Sequence, residues 1–238
     1  MRKVNDTQID ELYTFTRKHF VEWYDLQTEL VDHMALAIEK QWEENPEYSF
    51  EKARDIEFKK FGVFGFMGVV EERQKALGKR YNKIIWSHLK EFFTVPKILL
   101  TLSLTAFVFF LLKEGWVDRV TFMIGMVIFC VVLFVDYFMQ SRKYKKQFKA
   151  GKPKWMFEDI LMRFGSGTGF SLFPVHMFQF VNLFDSNAKD FSESSVYFLI
   201  FFSLLMVVIG LLYYVMRFEI PAKAREYLIQ TYPEYELA

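Results

Sequence analysis

The stretch RFGSGTGFSLFPVHMFQF, residues 163–180, decides how many times the chain crosses a membrane. Its glycines can be read as the phosphate cradle of a nucleotide enzyme or as the entry to an apolar segment. A phosphate loop needs a strand before its glycines and a soluble helix after them, so that backbone N–H groups converge on the anion. Before Gly165 the sequence WMFEDILMRF instead places Met156, Ile160, Leu161 and Phe164 at helical spacing, and an apolar run follows Gly169. No Lys-Ser or Lys-Thr pair follows the glycines. The spacing therefore predicts that Gly165, Gly167 and Gly169 break an interfacial helix and turn the chain into a bilayer. A helix N-terminus at that surface, beside Arg163, favours an anion, and lipid head-group phosphates are the anions present there. Arg163, Gly165, Gly167 and Gly169 are thus a candidate lipid or anion site, with a plain hinge as the alternative.

Outward from this stretch, four apolar runs emerge. A membrane helix needs roughly 17–25 mostly apolar residues, because the hydrocarbon core is about 30 Å thick and a helix rises about 1.5 Å per residue. Residues 96–112, 120–139 and 195–216 are strong runs; residues 168–184 are weaker, interrupted by Pro174, His176, Gln179 and Asn182. On a helix of about 100° per residue, Thr168, Ser171, Gln179 and Asn182 share a side, with His176 near its edge. That polar face should meet other helices rather than lipid. It is either an interhelical hydrogen-bonding seam or a transport pathway, and His176 is the ionisable group deepest in a run.

Orientation follows from the short connectors, where Lys and Arg resist translocation. The connector SRKYKKQFKAGKPKW after the second run carries Arg142, Lys143, Lys145, Lys146, Lys149, Lys152 and Lys154 without an acid. The segment KALGKRYNKIIWSHLK before the first run is also basic, whereas DSNAKDFSESS between the last two is slightly acidic. All of this suits four crossings with both termini in the cytoplasm. If the weak run did not cross, Arg217, Lys223 and Arg225 would fall outside. The balance of 30 basic against 29 acidic residues hides this separation of charge, while 52% apolar content with 29 Phe is high for a water-soluble chain. The lone Cys130 lies in an apolar run and excludes an intramolecular disulfide framework. No apolar stretch follows the basic residues of MRKVNDTQIDELYTF, so a cleaved signal peptide is not expected.

Residues 1–74 are acidic and 75–90 basic, which suits a domain repelled from anionic lipid and a neck held against it. In FVEWYDLQTELVDHMALAIEKQWEEN, the residues Trp23, Leu26, Leu30, Met34, Ala37, Ile38 and Trp42 share one helical side, opposite an acidic one. A second helix follows, with Ser49 as N-cap and Gly62 as stop. Asp25, Glu29 and His33 lie one turn apart, a spacing usable for metal. No matching Glu-x-x-His stands on another helix, so a solvated acidic face is expected instead.

These two helices, DLQTELVDHMALAIE and SFEKARDIEFKKFG, resemble the HAAS or permease-prefix modules that precede membrane spans in many bacterial proteins. The likeness is closer still to a group of uncharacterised membrane proteins of Bacteroidota. It covers residues 10–78 and rests on Glu29, Leu30, Asp32, His33, Phe50, Ala53, Phe61 and Gly62. The chain departs from the pattern by continuing VFGFMGVVEERQKALG where a short Asp-Pro segment is usual. The resemblance implies a cytoplasmic regulatory or interaction module and brings no catalytic residues.

The expected architecture is therefore all-α: a cytoplasmic helical domain (1–78), a basic neck (79–95), four transmembrane helices (96–218) and a cytoplasmic tail (219–238). The expected function is that of a non-enzymatic bacterial inner-membrane protein with a regulatory or interaction role. The alternative is a small transporter or permease subunit using the polar face of the third run. Expected partners are anionic lipid head groups and an unidentified protein, with no nucleic acid, no metal and no cofactor. In a Cys130→Ala background, cysteine placed at Ser186 or Ser192 should label from outside and cysteine at Ser141 should not; the reverse pattern would overturn the topology.

Overall fold

The computed structural model describes residues 2–149, 152–164, 176, 179–180 and 190–237, and among them all regular structure is helical. The chain divides into two compact units: Met1–Arg80 with Phe148–Ile160, and Tyr81–Gln147 with Leu161–Ala238. The first therefore takes in a segment from the connector that follows the second apolar run.

In this first unit, α1 (Asp6–Lys18) opens on a capping box in which Asn5 and Gln8 satisfy each other's backbone N–H groups. Helix α2 (Tyr24–Glu44) buries Leu26, Leu30, Met34, Ile38 and Trp42, the apolar side legible in the sequence. Helix α3 (Phe50–Lys59) is capped by Ser49, whose side chain accepts from the Lys52 N–H. A glycine-bearing turn then leads into α4 (Met67–Glu91). Gly65 has φ +54, and a Cβ there would stand 2.7 Å from the Phe58 ring, so only glycine lets the backbone pass that close. The approach brings Phe66 against Phe58 at 4.9 Å and Phe61 at 4.8 Å.

The same unit is completed by residues 152–160, where α7 (Met156–Phe164) begins. Trp155, Met156 and Phe157 are fully buried. The Tyr24 N–H donates to the Lys154 carbonyl at 2.7 Å. Asp25 accepts from the Met156 N–H at 3.0 Å, capping α7 from another helix. The Trp23 indole donates to the buried Asp159 carboxylate at 3.1 Å. The spacing in WMFEDILMRF thus does mark a helix. Its first turn, however, lies in a protein core rather than at a lipid surface, because three large apolar side chains and Asp159 all find partners there.

In the second unit, α5 (Lys97–Lys113), α6 (Arg119–Lys149) and α8 (Val196–Tyr214) are the long apolar helices. Segments Arg119–Lys143 and Val196–Ala222 are long and apolar enough to cross a membrane, with mean hydropathy 2.4 and 2.6. Helix α5, at 17 residues, stands at the short limit for a span. The weak third run lies outside the described residues except for His176, Gln179 and Phe180.

Lys113 donates to the Ser192 carbonyl at 3.0 Å, and Phe92 meets Tyr214 at 6.3 Å, so α5 and α8 run antiparallel. Phe122 meets Phe202 at 5.6 Å and Phe129 meets Tyr213 at 6.0 Å, so α6 and α8 run in the same direction. A core of Leu112, Phe191, Leu199 and Phe202 closes the end where α8 starts.

Truncating a fully buried aromatic removes its burial and leaves a cavity. Phe157→Ala should therefore destabilise the first unit by about 3–5 kcal/mol, seen as early proteolysis between residues 1 and 80. Unchanged proteolysis would mean that the segment is not part of its core.

Candidate functional site

The polar chemistry of the second unit gathers around one irregular turn. Helix α8 ends in a π-helical turn, Val215–Glu219, followed by Pro221. Proline has no N–H to offer the Arg217 carbonyl four residues back, and its ring crowds that carbonyl. A turn widened by one residue relieves both problems. Arg217 and Glu219 project from this turn to different partners.

Arg217 makes a two-pronged contact with Asp136 of α6: Nε donates to Oδ2 at 2.8 Å and Nη2 to Oδ1 at 2.9 Å. Gln140 lies one turn further along α6. With its amide oxygen turned toward the guanidinium, it lies 2.8–2.9 Å from Nε, Nη1 and Nη2. The Arg217 and Asp136 side chains are 27% and 24% exposed, so the pair is largely withdrawn from solvent.

Glu219 belongs to a second group. Its Oε2 lies 3.1 Å from Nδ1 of His88, near the end of α4, and His88 Nε2 lies 2.7 Å from the Tyr227 hydroxyl on α9 (Ala224–Thr231). Burial, helped by the charges of Glu226, Glu91 and Glu219, pushes the Tyr227 phenol above its usual range. His88 Nε2 and the Tyr227 hydroxyl share one hydrogen bond, and on the other side of the ring Nδ1 stands at ion-pair distance from Glu219. Glu91 stands 3.8 Å from His88, and its carboxyl is held below its usual range chiefly by the hydrogen bond from Lys97 at 2.9 Å. The turn thus joins α6 through Arg217 to α4 and α9 through Glu219.

Chemically this is a clamp. The guanidinium fork is filled by Asp136 and Gln140. Among the described residues no group of three His, Cys, Asp or Glu side chains is placed to hold a metal. Asp25, Glu29 and His33 go to separate partners: the Met156 N–H, Arg73 at 3.6 Å and Glu57 at 3.7 Å.

Of the residues singled out in the sequence, Gly165, Gly167, Thr168, Gly169, Ser171 and Asn182 lie outside the described residues. Arg163 is in the last turn of α7, and its side chain also lies outside them. His176 and Gln179 are exposed. The sequence pattern does not single out Asp136, which lies near the end of its apolar run, and it gives Arg217 a role only in orientation. Both residues close apolar runs, and it is the common direction of α6 and α8 in the structure that brings them to the same level.

Comparison of the chain with protein families, with curated proteins and with solved structures finds no match.

Removing either charge strands the other, so losses from Asp136→Ala and Arg217→Ala should not add. A double-mutant cycle on thermal unfolding in detergent should give a coupling of about 2 kcal/mol. Additive losses would show that the pair contributes nothing as a pair.

Proposed function

We propose that the chain is a non-enzymatic integral protein of a bacterial inner membrane, with four spans and both termini in the cytoplasm. It has a regulatory or interaction role exercised through its HAAS-like N-terminal domain. Membrane insertion is supported by the contrast between hydropathy and burial: only 11% and 28% of the most apolar windows in the two long helices are buried by protein. The core helix of a soluble protein would be covered by its neighbours. A third crossing is supported by the common direction of α6 and α8, because two spans running the same way need the chain to return between them.

The observation that carries the regulatory reading is the burial of Trp155, Met156 and Phe157 in the N-terminal unit. A connector between membrane helices is thereby part of the domain core. Whatever rearranges the domain pulls on the chain that leaves α6, and a partner acting on the domain acts on the membrane part through covalent structure.

A protein partner is supported by an exposed apolar cluster. Val63, Phe64 and Phe20 are 98%, 81% and 74% exposed. Phe20 follows His19 and Phe64 stands two residues before Phe66, and the His19 and Phe66 rings lie 6.1 Å apart. Apolar residues gathered on a surface in this way mark contact sites. Anionic lipid is the second partner, drawn by the basic connector Arg142–Lys154 and by Arg163 with Gly165, Gly167 and Gly169.

Affinity purification from native membranes in mild detergent tests the proposal. A stoichiometric protein should co-purify and should be lost when Phe64 is replaced by Asp. Recovery of no such protein, or its equal recovery with the Phe64→Asp variant, would overturn the interaction reading; a small molecule retained among the spans would favour transport.

A further inference from the structure

A polar cleft in the first unit lies apart from the apolar cluster and from the glycine turn. It is an open hollow of about 610 Å³ lined by Arg17, Val21, Glu22, Tyr24, Gln27 and the segment Lys152–Lys154. A smaller hollow of about 380 Å³ shares Arg17, Tyr24 and Gln27 with it and continues to Tyr13, Thr14 and Asp10. The two form one groove along α1 and the start of α2, with cations concentrated at one end.

The charges at that end are not equivalent. Lys154 is committed: its ammonium lies 2.8 Å from Glu22 and 3.5 Å from Asp159, and it also sits over the Trp23 ring. Glu22, the acid lining the cleft, shares this ammonium with Asp159. Arg17 donates to the Thr14 hydroxyl at 3.2 Å, and among the described residues neither Arg17 nor Lys152 forms an ion pair. The cleft thus has two cations outside any ion pair among the described residues, next to the half-exposed ring of Tyr24, whose edge rests against Trp155. Gln27 is occupied, donating to the Val21 carbonyl at 2.6 Å, and shapes the wall without reaching into the cleft for a ligand.

We infer that this cleft binds a phosphate group, with Arg17 and Lys152 pairing its oxygens and the Tyr24 ring bordering the group it is attached to. Guanidinium and ammonium together suit a phosphate: the planar fork of Arg takes two oxygens and Lys adds a point charge. The far end, with Thr14, Tyr13 and Asp10, accepts hydroxyls or an amine, so the ligand is a phosphate ester with a polar body. Such an ester could be a lipid head group or a soluble phosphorylated metabolite. The inference does not depend on the regulatory role or on the glycine turn.

Calorimetric titration of the full chain in neutral detergent separates the sources. The probes are inorganic phosphate and glycerol 3-phosphate for the soluble class and short-chain phosphatidylglycerol for the lipid class, with succinate and short-chain phosphatidylcholine as comparisons. Binding of the soluble probes alone assigns a metabolite; binding of phosphatidylglycerol alone assigns a head group. In either case Arg17→Gln and Lys152→Gln should each weaken binding about fivefold, equivalent to about 1 kcal/mol per surface cation. Lys18→Gln, which alters a cation that lines an adjoining hollow and neither part of this groove, should leave it unchanged, and Arg17→Lys should recover part of the loss. Failure of every phosphate probe to bind, equal binding of succinate, or an equal loss with Lys18→Gln would overturn the inference.

Discussion

The forked contact between Arg217 and Asp136 is the constraint on which the pairing of α6 with α8 depends. Helices α6 and α8 expose apolar side chains along most of their length, and such surfaces slide and rotate against one another at little cost. Dispersion alone favours many registers almost equally. A charge pair that loses most of its solvation if separated permits one register. With Arg217 on Asp136, the rows at Phe122–Phe202 and Phe129–Tyr213 fall into contact one after another. On α6 these positions recur every seven residues, Phe122, Phe129 and Asp136, which is two helical turns and keeps one face toward α8.

The π turn lets one chain end serve two clusters. In a regular helix the carbonyl of Arg217 would need an N–H that Pro221 lacks. Opening the turn answers that defect and separates Arg217 and Glu219 by enough rotation for each to reach its own partner. His88 then lies between Glu219 and Tyr227, hydrogen-bonded to the phenol through Nε2 and 3.1 Å from the carboxylate through Nδ1. Three helices with no common sequence pattern are held by five residues of irregular backbone.

A comparable economy governs the N-terminal unit. The first turn of α7 has orphan N–H groups, as every helix start does. Asp25 of α2 accepts one of them, while Asp159 in that turn accepts from Trp23. The exchange is reciprocal, so neither helix is complete without the other. Asp25 is thereby committed to α7, while Glu29 and His33 of the same helix face Arg73 and Glu57.

The sequence by itself determined the helical class, the apolar side of α2, the Ser49 cap, the helix at 156–164 and the two longest apolar segments. Each rests on local physics: side-chain periodicity, a hydroxyl near free N–H groups, or enough consecutive apolar residues. It could not say that Trp155, Met156 and Phe157 would join a domain more than a hundred residues earlier, because their spacing is the same against lipid as against protein. Nor could it single out Asp136, Arg217 and His88, since a charge at the end of an apolar run looks like any boundary charge until its partner is known. Within α6 the stripe facing α8 is masked, as nearly every neighbour is apolar too. Tertiary structure decided these points because they depend on which distant groups compete for the same desolvated space.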